Sequence, residues 1–217
     1  MLPTGDDNSS RRTTPIVTYI LIALNAIFFL VELSGGDAFI TQWAFVPNRF
    51  LANPATDFPT LFTSMFMHAG LLHIGGNMLY LWIFGDNVED RFGHVKFSIF
   101  YLLCGLAATA AQLVFSLDSN IPNLGASGAI AGVLGAYILL FPKAKVSVLQ
   151  GQRVVPVPAL IVIGLWFVLQ LFSGIGSIAS TSDTGGVAYM AHIGGFVAGF
   201  LLTFLFRGNP GRPALTT

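Results

Sequence analysis

Long runs of apolar side chains alternate with short polar connections along most of the 217-residue chain. A helix needs about 20 mainly apolar residues to cross the hydrocarbon core of a bilayer. The pattern predicts six such helices, with expected bounds 15–33, 73–90, 96–117, 125–141, 156–174 and 187–206. We therefore expect an all-α membrane protein, in which a six-helix core over 15–207 follows a flexible segment over 1–14 and precedes a tail over 208–217.

Two connections differ from the others in composition. Residues 175–186 are rich in Gly, Ser and Thr, which predicts a flexible cap. Residues 34–72 mix turn formers with the aromatic side chains Trp43, Phe45, Phe50, Phe58, Phe62 and Phe66. Aromatic residues concentrate at the membrane surface, so we expect this long connection to lie at the level of the lipid headgroups and not to cross.

The composition leaves almost no room for a soluble domain. Hydrophobic residues make up 54% of the chain and charged residues 9%, with a mean hydropathy of +0.74, whereas a soluble domain has about 25% charged residues. The formal net charge is zero, which argues against nucleic acid as a partner. Cys104 is the sole cysteine and lies in an apolar run, so it excludes an intramolecular disulfide and is interpreted as a packing residue. Neither a cofactor nor a metal is expected.

The basic residues predict the orientation in the membrane. With a cytoplasmic N-terminus, Arg49 alone falls on the outer side, and the cytoplasmic set is Arg11, Arg12, Arg91, Lys96, Lys143, Lys145, Arg153, Arg207 and Arg212. The positive-inside rule therefore places both termini in the cytoplasm. The first apolar run is too long for a cleaved signal peptide. A short chain without added domains suggests a multi-pass protein of a prokaryotic cell (inner) membrane.

Three polar residues stand in the helices that run from the outside inward, namely Asn77, Ser127 and His192. Each precedes the inner end of its helix by 14 or 15 residues, counted to Arg91, Phe141 and Arg207. At a rise of 1.5 Å per residue, all three lie about 21–24 Å from the cytoplasmic side, at one level below the outer surface.

Small residues predict that two of these helices touch. Gly125, Gly128, Gly132 and Gly135 share one face of the fourth helix, while Ala191, Gly195 and Gly199 form a similar face on the sixth. Such faces let helix backbones approach closely, which would bring Ser127 to His192.

Alternative interpretations apply to each residue taken singly. A lone serine in a membrane helix usually donates to its own backbone, and a lone histidine is often bonded to a backbone carbonyl. Three histidines with Asn77 could also suggest a metal site, but His68 and His73 are five residues apart and asparagine is a poor zinc ligand.

Serine is a weak nucleophile that needs an adjacent base, and His192 can supply one to Ser127. No acidic residue lies at this depth, so the pattern indicates a dyad and not a triad. The Ser127 amide with the backbone around Gly128, the Asn77 side chain and an N–H of His73 are candidate oxyanion donors. Water would reach the site through a cavity lined by His68, His73, Asn77 and Gln112.

Four motifs in this order resemble the rhomboid family of intramembrane serine proteases. They are Gly125-Ala126-Ser127-Gly128, Ala191-His192 followed by Gly195 and Gly199, the His73-to-Asn77 spacing, and Val88-Glu89-Asp90-Arg91-Phe92-Gly93. The resemblance implies a Ser127–His192 dyad with His73 and Asn77 in the oxyanion hole. It implies cleavage in or near the transmembrane helices of protein substrates, typically after a small residue. It also implies entry beside the fifth helix, with Trp166, Phe167 and Phe172 as a gate and 175–186 as the cap.

The chain departs from the family pattern in two places. A Trp-Arg pair frequent in the first loop is replaced near Pro59 and Thr60, and Ala131 stands where some members carry a tyrosine that stacks on the histidine. What orients the His192 ring is therefore left open by the sequence.

Two rival functions remain. One is a catalytically silent rhomboid-like protein that binds transmembrane helices, although such proteins usually lose the serine or the histidine and this chain has both. The other is a small transporter, against which the chain has no detectable internal repeat and no intramembrane carboxylate for ion coupling.

Overall fold

A computed structural model describes residues 2–9, 11–179 and 188–207. In chain order its elements are β1 (Leu2–Asp6), α1 (Ile16–Trp43), α2 (Pro47–Ala52), α3 (Pro54–Asp57), α4 (Thr60–Thr63), a 3-10 turn (Ser64–Phe66), α5 (Leu71–Phe92), α6 (His94–Val114), α7 (Ser127–Leu140), β2 (Lys145–Gln150), β3 (Arg153–Pro158), α8 (Ala159–Ala179) and α9 (Tyr189–Phe206). Each of the six predicted apolar runs overlaps one of the long helices.

Within the described residues, four helices are long and apolar enough to cross a membrane, namely α1, α6, α8 and α9. The apolar helix α7 has only 14 residues. Helix α5 has 22 residues, but polar side chains such as His73, Asn77 and Asp86 lower its hydropathy. The mostly helical membrane fold is confirmed, whereas six crossings remain a prediction.

A small sheet that the sequence did not predict accompanies the helices. Strand β2 pairs in antiparallel fashion with β1 on one side and with β3 on the other. The sequence predicts a flexible segment over 1–14, but the structure pairs Leu2 with Leu149 and Asp6 with Val146. Val146 and Val148 are fully buried, so strand β2 alternates inward valines with the polar residues Lys145 and Ser147.

The first connection is built from short helices held by one arginine. Helix α1 continues beyond its predicted end and bends at Gly36, whose φ of 57° favours glycine. The Arg49 guanidinium contacts Asp57 Oδ2 at 2.5 Å and donates to the carbonyl of Ala44 at 2.6 Å. It also donates to the carbonyl of Thr41. Arg49 thus ties α1 to the short helices of a loop that lacks the family's Trp-Arg pair.

Helix α7 is the centre of the bundle, and every residue from Gly128 to Tyr137 is buried. A methyl group built on Gly195 would meet the carbonyl oxygen of Gly128, and one built on Gly199 would meet the backbone of Gly132. The predicted contact between the small-residue faces of the fourth and sixth apolar helices is therefore confirmed. Because backbone meets backbone there, the two helices hold their first turns at a fixed separation.

Candidate active site

The small-residue contact brings Ser127 and His192 together near the N-terminal ends of α7 and α9. Ser127 is the first residue of α7, and the preceding Gly125 has a φ of 133°, a conformation that side chains disfavour. His192 is buried, and its Nε2 lies 2.7 Å from Ser127 Oγ. This is hydrogen-bonding distance for a serine hydroxyl that donates to an imidazole nitrogen.

The second ring nitrogen of His192 has a partner that the sequence did not single out. His192 Nδ1 lies 2.7 Å from Oε1 of Gln170, in the middle of α8. One turn earlier on the same helix, the Trp166 ring lies 5.8 Å from the His192 ring, centroid to centroid. One signal could have pointed to Gln170, since an isolated amide in an apolar run must find a hydrogen-bonding partner when it is buried.

Potential oxyanion donors converge on the same place. Asn77 is buried, and its Nδ2 has no hydrogen-bonding partner among the described residues. The Ala69 amide donates to Nδ1 of His73 at 3.4 Å, which leaves the proton of that ring on Nε2. A side chain at Gly125 would sit 2.9 Å from His73 Nε2 and 3.5 Å from Ser127 Oγ, so these two atoms border one small space.

The start of α7 adds backbone donors to this space. The first amides of a helix have no acceptor four residues back, and Ser127 and Gly128 occupy these positions. The positive end of the helix dipole also points to this side. The site therefore combines a hydroxyl, a hydrogen-bonded imidazole and several donors that favour a negatively charged oxygen.

A cavity of about 720 Å³ contains these groups. Ser127, His192, Asn77 and His73 form its polar wall. Its apolar lining comes from Leu72, Tyr80, Ile121, Pro122, Leu124, Ile130, Leu134 and Trp166. The size is that of pockets that enclose a small ligand or a few side chains of a peptide.

His68 does not line this cavity, contrary to the prediction. Its ring packs edge-on against His73 with centroids 5.0 Å apart, and it is 1% exposed. Burial, with a smaller contribution from His73, lowers the pKa of His68 to about 4, so the ring is neutral at pH 7. His68 supports His73 from the side remote from the cavity.

Gln112 has a different place from the one expected. Its Oε1 accepts the backbone N–H of Ala191 at 3.2 Å, so it fixes the start of α9 directly before His192. It borders a separate space of about 40 Å³ that also reaches Ser127.

The three predicted gate residues differ in their surroundings. Trp166 lines the cavity, Phe167 stacks on Phe196 of α9 with centroids 4.2 Å apart, and Phe172 is 72% exposed. Phe172 therefore does not close the cavity in this structure. Of the predicted cap over 175–186, residues 175–179 belong to α8, and 180–186 lie outside the described residues.

Comparisons with known proteins agree with the motifs. A family model described as the Rhomboid domain matches residues 55–209. Rhomboid protease GluP of Bacillus subtilis (strain 168) is 33% identical over 192 residues, which are 86% of this chain and 34% of that protein. Rhomboid protein 1, mitochondrial, of Saccharomyces cerevisiae is 29% identical over 190 residues, with 85% and 51% covered. RHOMBOID-like protein 7 of Arabidopsis thaliana is 32% identical over 152 residues, with 69% and 43% covered. The chain thus spans between a third and a half of the length of these relatives.

Proposed function

The chain belongs to the rhomboid family, and on this premise we propose that it is an intramembrane serine endopeptidase. Its substrates are the transmembrane or juxtamembrane segments of other membrane proteins. The observation that supports this most strongly is the distance of 2.7 Å between Ser127 Oγ and His192 Nε2, inside a cavity lined also by Asn77, whose Nδ2 has no partner among the described residues.

In the first step, Ser127 Oγ attacks the carbonyl carbon of the scissile peptide bond while its proton passes to His192 Nε2. The carbonyl π bond opens, and the oxygen becomes an oxyanion. Asn77 Nδ2, His73 Nε2–H and the amides of Ser127 and Gly128 stabilise this charge. In the part of the chain that the structure describes, Asn77 Nδ2 has no acceptor to give up when the oxyanion forms, so it needs no reorganisation.

His192 then returns its proton to the leaving amine, the C–N bond breaks, and an ester joins the substrate's acyl group to Ser127. A water molecule attacks this ester after losing a proton to His192 Nε2. The same proton restores the hydroxyl of Ser127, and the second product leaves as a carboxylic acid. The residues thus act as a dyad in both half-reactions.

For the membrane, we propose six crossings with both termini in the cytoplasm of a prokaryotic cell. Helix α7 rises about 21 Å, less than a hydrocarbon core of about 30 Å. With its inner end at the cytoplasmic surface, Ser127 lies short of the outer surface, where a cavity can admit water. Strand β1 and the β2–β3 hairpin lie in one sheet, which supports placing the N-terminus and this hairpin on the same side.

Substrate helices would enter beside α8, where Trp166 lines the cavity and Phe167 packs against α9. The exposed side chains of α8, among them Leu165, Leu169 and Phe172, suit a lipid-facing surface.

The test is active-site labelling of the full chain in detergent or liposomes with a fluorophosphonate, followed by mass-spectrometric mapping and cleavage of a transmembrane reporter. We expect Ser127 to be labelled and reporter cleavage to occur. Ser127→Ala and His192→Ala each abolish cleavage, and His192→Ala also prevents labelling, because His192 is the base that lies within hydrogen-bonding distance of the Ser127 hydroxyl.

Ser98→Ala is a matched control, since Ser98 Oγ donates to the carbonyl of His94 at 2.9 Å in α6, as an ordinary helical serine does. This variant should keep full activity. Cleavage that survives Ser127→Ala would remove the nucleophile assignment. A parent protein that binds transmembrane helices but shows neither labelling nor cleavage would instead be the silent relative.

A further inference from the structure

Gln170 is a lone amide in a helix whose neighbouring side chains are apolar. Its neighbour Leu169 is 55% exposed, and Phe172, half a turn further on, is 72% exposed. Gln170 instead turns inward and is only partly exposed. Burial of an amide is unfavourable unless it forms a hydrogen bond, and the bond that Gln170 forms is to His192.

The chemistry of this contact sets the tautomer of His192. An amide oxygen only accepts hydrogen bonds, so the Oε1 of Gln170 requires the proton of the neutral imidazole on Nδ1. The lone pair then lies on Nε2, which faces Ser127 Oγ at 2.7 Å. A ring with the proton on Nε2 could not take the serine proton at all.

We propose that Gln170 is a positioning residue, which holds His192 in the tautomer and ring orientation that let it act as the base toward Ser127. The proposal rests on the proposed protease function. Two further contacts restrict the same ring and its helix. Trp166 packs against the ring, and Gln112 binds the amide of Ala191 directly before it. Ala131, one turn after Ser127, offers only a methyl group and cannot serve in this way.

The position of Gln170 has a consequence for catalysis. The helix that carries it, α8, also carries the gate residues Trp166 and Phe167. Any outward displacement of α8 that admits a substrate separates Gln170 from His192 as well. If substrates enter in this way, His192 is oriented again only once α8 lies against α9.

The test compares Gln170→Met, Gln170→Glu and the control Leu169→Met, each in the full chain in liposomes with a transmembrane reporter. Methionine has a similar volume but no acceptor, so kcat should fall about 10–100-fold with KM within twofold. Glutamate restores the acceptor and stabilises the imidazolium, so kcat should recover while the acid limb of the pH–rate profile moves to higher pH. Within the described residues, the titratable group that acts on His192 is His73, and it is present in all three variants. Leu169→Met should match the parent.

A second readout does not depend on turnover. In the Ser127→Ala background, ¹⁵N NMR of the histidine side chains should report His192 protonated on Nδ1, and addition of Gln170→Met should give a mixture of tautomers. Unchanged kcat in Gln170→Met, or an equal loss in the Met and Glu variants with an unshifted pH profile, would overturn the positioning role. That result is distinct from failure of the protease function, which would appear as a parent protein that shows neither fluorophosphonate labelling nor reporter cleavage.

Discussion

Two of the buried polar groups on helix α5 lie about three turns apart, and their surroundings are opposite in kind. At its inner end, Glu89 is fully buried and both carboxylate oxygens are occupied. Oε1 accepts the amide of Val17 at 2.8 Å and contacts His94 Nδ1 at 2.6 Å, while Oε2 accepts the amide and hydroxyl of Thr18, both at 2.7 Å. Toward the other end, Asn77 is buried with its Nδ2 unpaired.

The comparison separates groups that hold the fold from groups that await a substrate. A carboxylate whose lone pairs are filled by the first amides of α1 acts as a clamp between two helices. A buried donor without a partner contributes nothing favourable to folding, and its desolvation is a cost. The position of this donor beside Ser127 gives a reason for its cost, because an oxyanion formed there would supply the missing acceptor.

Asn77→Ala is expected to have the largest effect, and on turnover alone. Removal of one oxyanion donor should lower kcat by about 10²–10³-fold, or ~2.7–4 kcal/mol. Thermal stability should stay the same or rise slightly, because an unsatisfied buried donor is removed. Reporter cleavage and the unfolding midpoint in the same detergent measure the two quantities.

Asn77→Asp is the control for shape. The carboxylate has nearly the same volume, but it accepts hydrogen bonds and repels an oxyanion, so turnover should be as low as in Asn77→Ala or lower. Unchanged turnover in the alanine variant would exclude Asn77 from oxyanion binding and remove one half of the comparison.

Glu89→Gln should act on stability and leave the chemistry intact. An amide keeps one acceptor but turns an N–H₂ group toward the donors of Thr18, which leaves a buried donor unsatisfied. We expect a loss of about 1–3 kcal/mol in the free energy of unfolding, with kcat per folded molecule unchanged. Thermal unfolding and titration of active sites with the fluorophosphonate separate these effects.

Asp90→Asn is the matched control one residue away. Asp90 accepts from Thr13 and from the amide of Arg12 at a partly exposed site, so its loss should cost less than that of Glu89. A Glu89→Gln protein of normal stability but low kcat would mean that Glu89 takes part in catalysis. It would contradict the assignment of Glu89 to stability and of Asn77 to catalysis.

The approach of Ser127 to His192 was accessible to sequence reasoning because its cause is local in each helix. The small residues repeat every four positions, as Gly128 and Gly132 on one helix and as Gly195 and Gly199 on the other. This repeat can be recognised even when the exact ends of the helices are unknown. The depth comparison then identifies which polar side chains share a level.

Gln170 and the sheet were not accessible in that way. The contact of Gln170 with His192 depends on how α8 is rotated against α9, and no periodic pattern in α8 records this rotation. Strand β1 pairs with a strand more than 130 residues later, so neither segment alone predicts the sheet. The outward position of Phe172 and the support of His73 by His68 likewise follow from packing between distant segments.

Asp6 lies in strand β1, which the sequence did not predict. Its hydrogen bonding is intermediate between that of Glu89, which is fully paired, and that of Asn77 Nδ2, which is not. Its Oδ2 accepts from Tyr137 at 2.7 Å and from Asn87 at 2.6 Å, while its Oδ1 is buried with no partner among residues 2–9, 11–179 and 188–207. Burial raises the pKa of Asp6 from 3.8 to about 6; the charge of Asp86 adds to this, and the bonds from Tyr137 and Asn87 oppose it. The contribution of this carboxyl group to the pairing of β1 with the rest of the protein should therefore depend on pH.

The sign follows from linkage. The docked strand binds the proton more tightly than the undocked one, so the contribution of Asp6 to docking is complete below pH 3.8 and is lost as the pH rises through about 6. We expect hydrogen-exchange protection factors of the β1 amides, corrected for intrinsic exchange, to fall modestly between pH 5 and pH 7.5, as estimated from linkage. Asp6→Asn keeps an acceptor for Tyr137 and Asn87 but has no proton to lose, so its protection should be flat over this range. Protection that rises with pH in the parent, or falls equally in the asparagine variant, would show that the strand is held by its backbone pairing and that a half-satisfied carboxyl here behaves like a fully paired one.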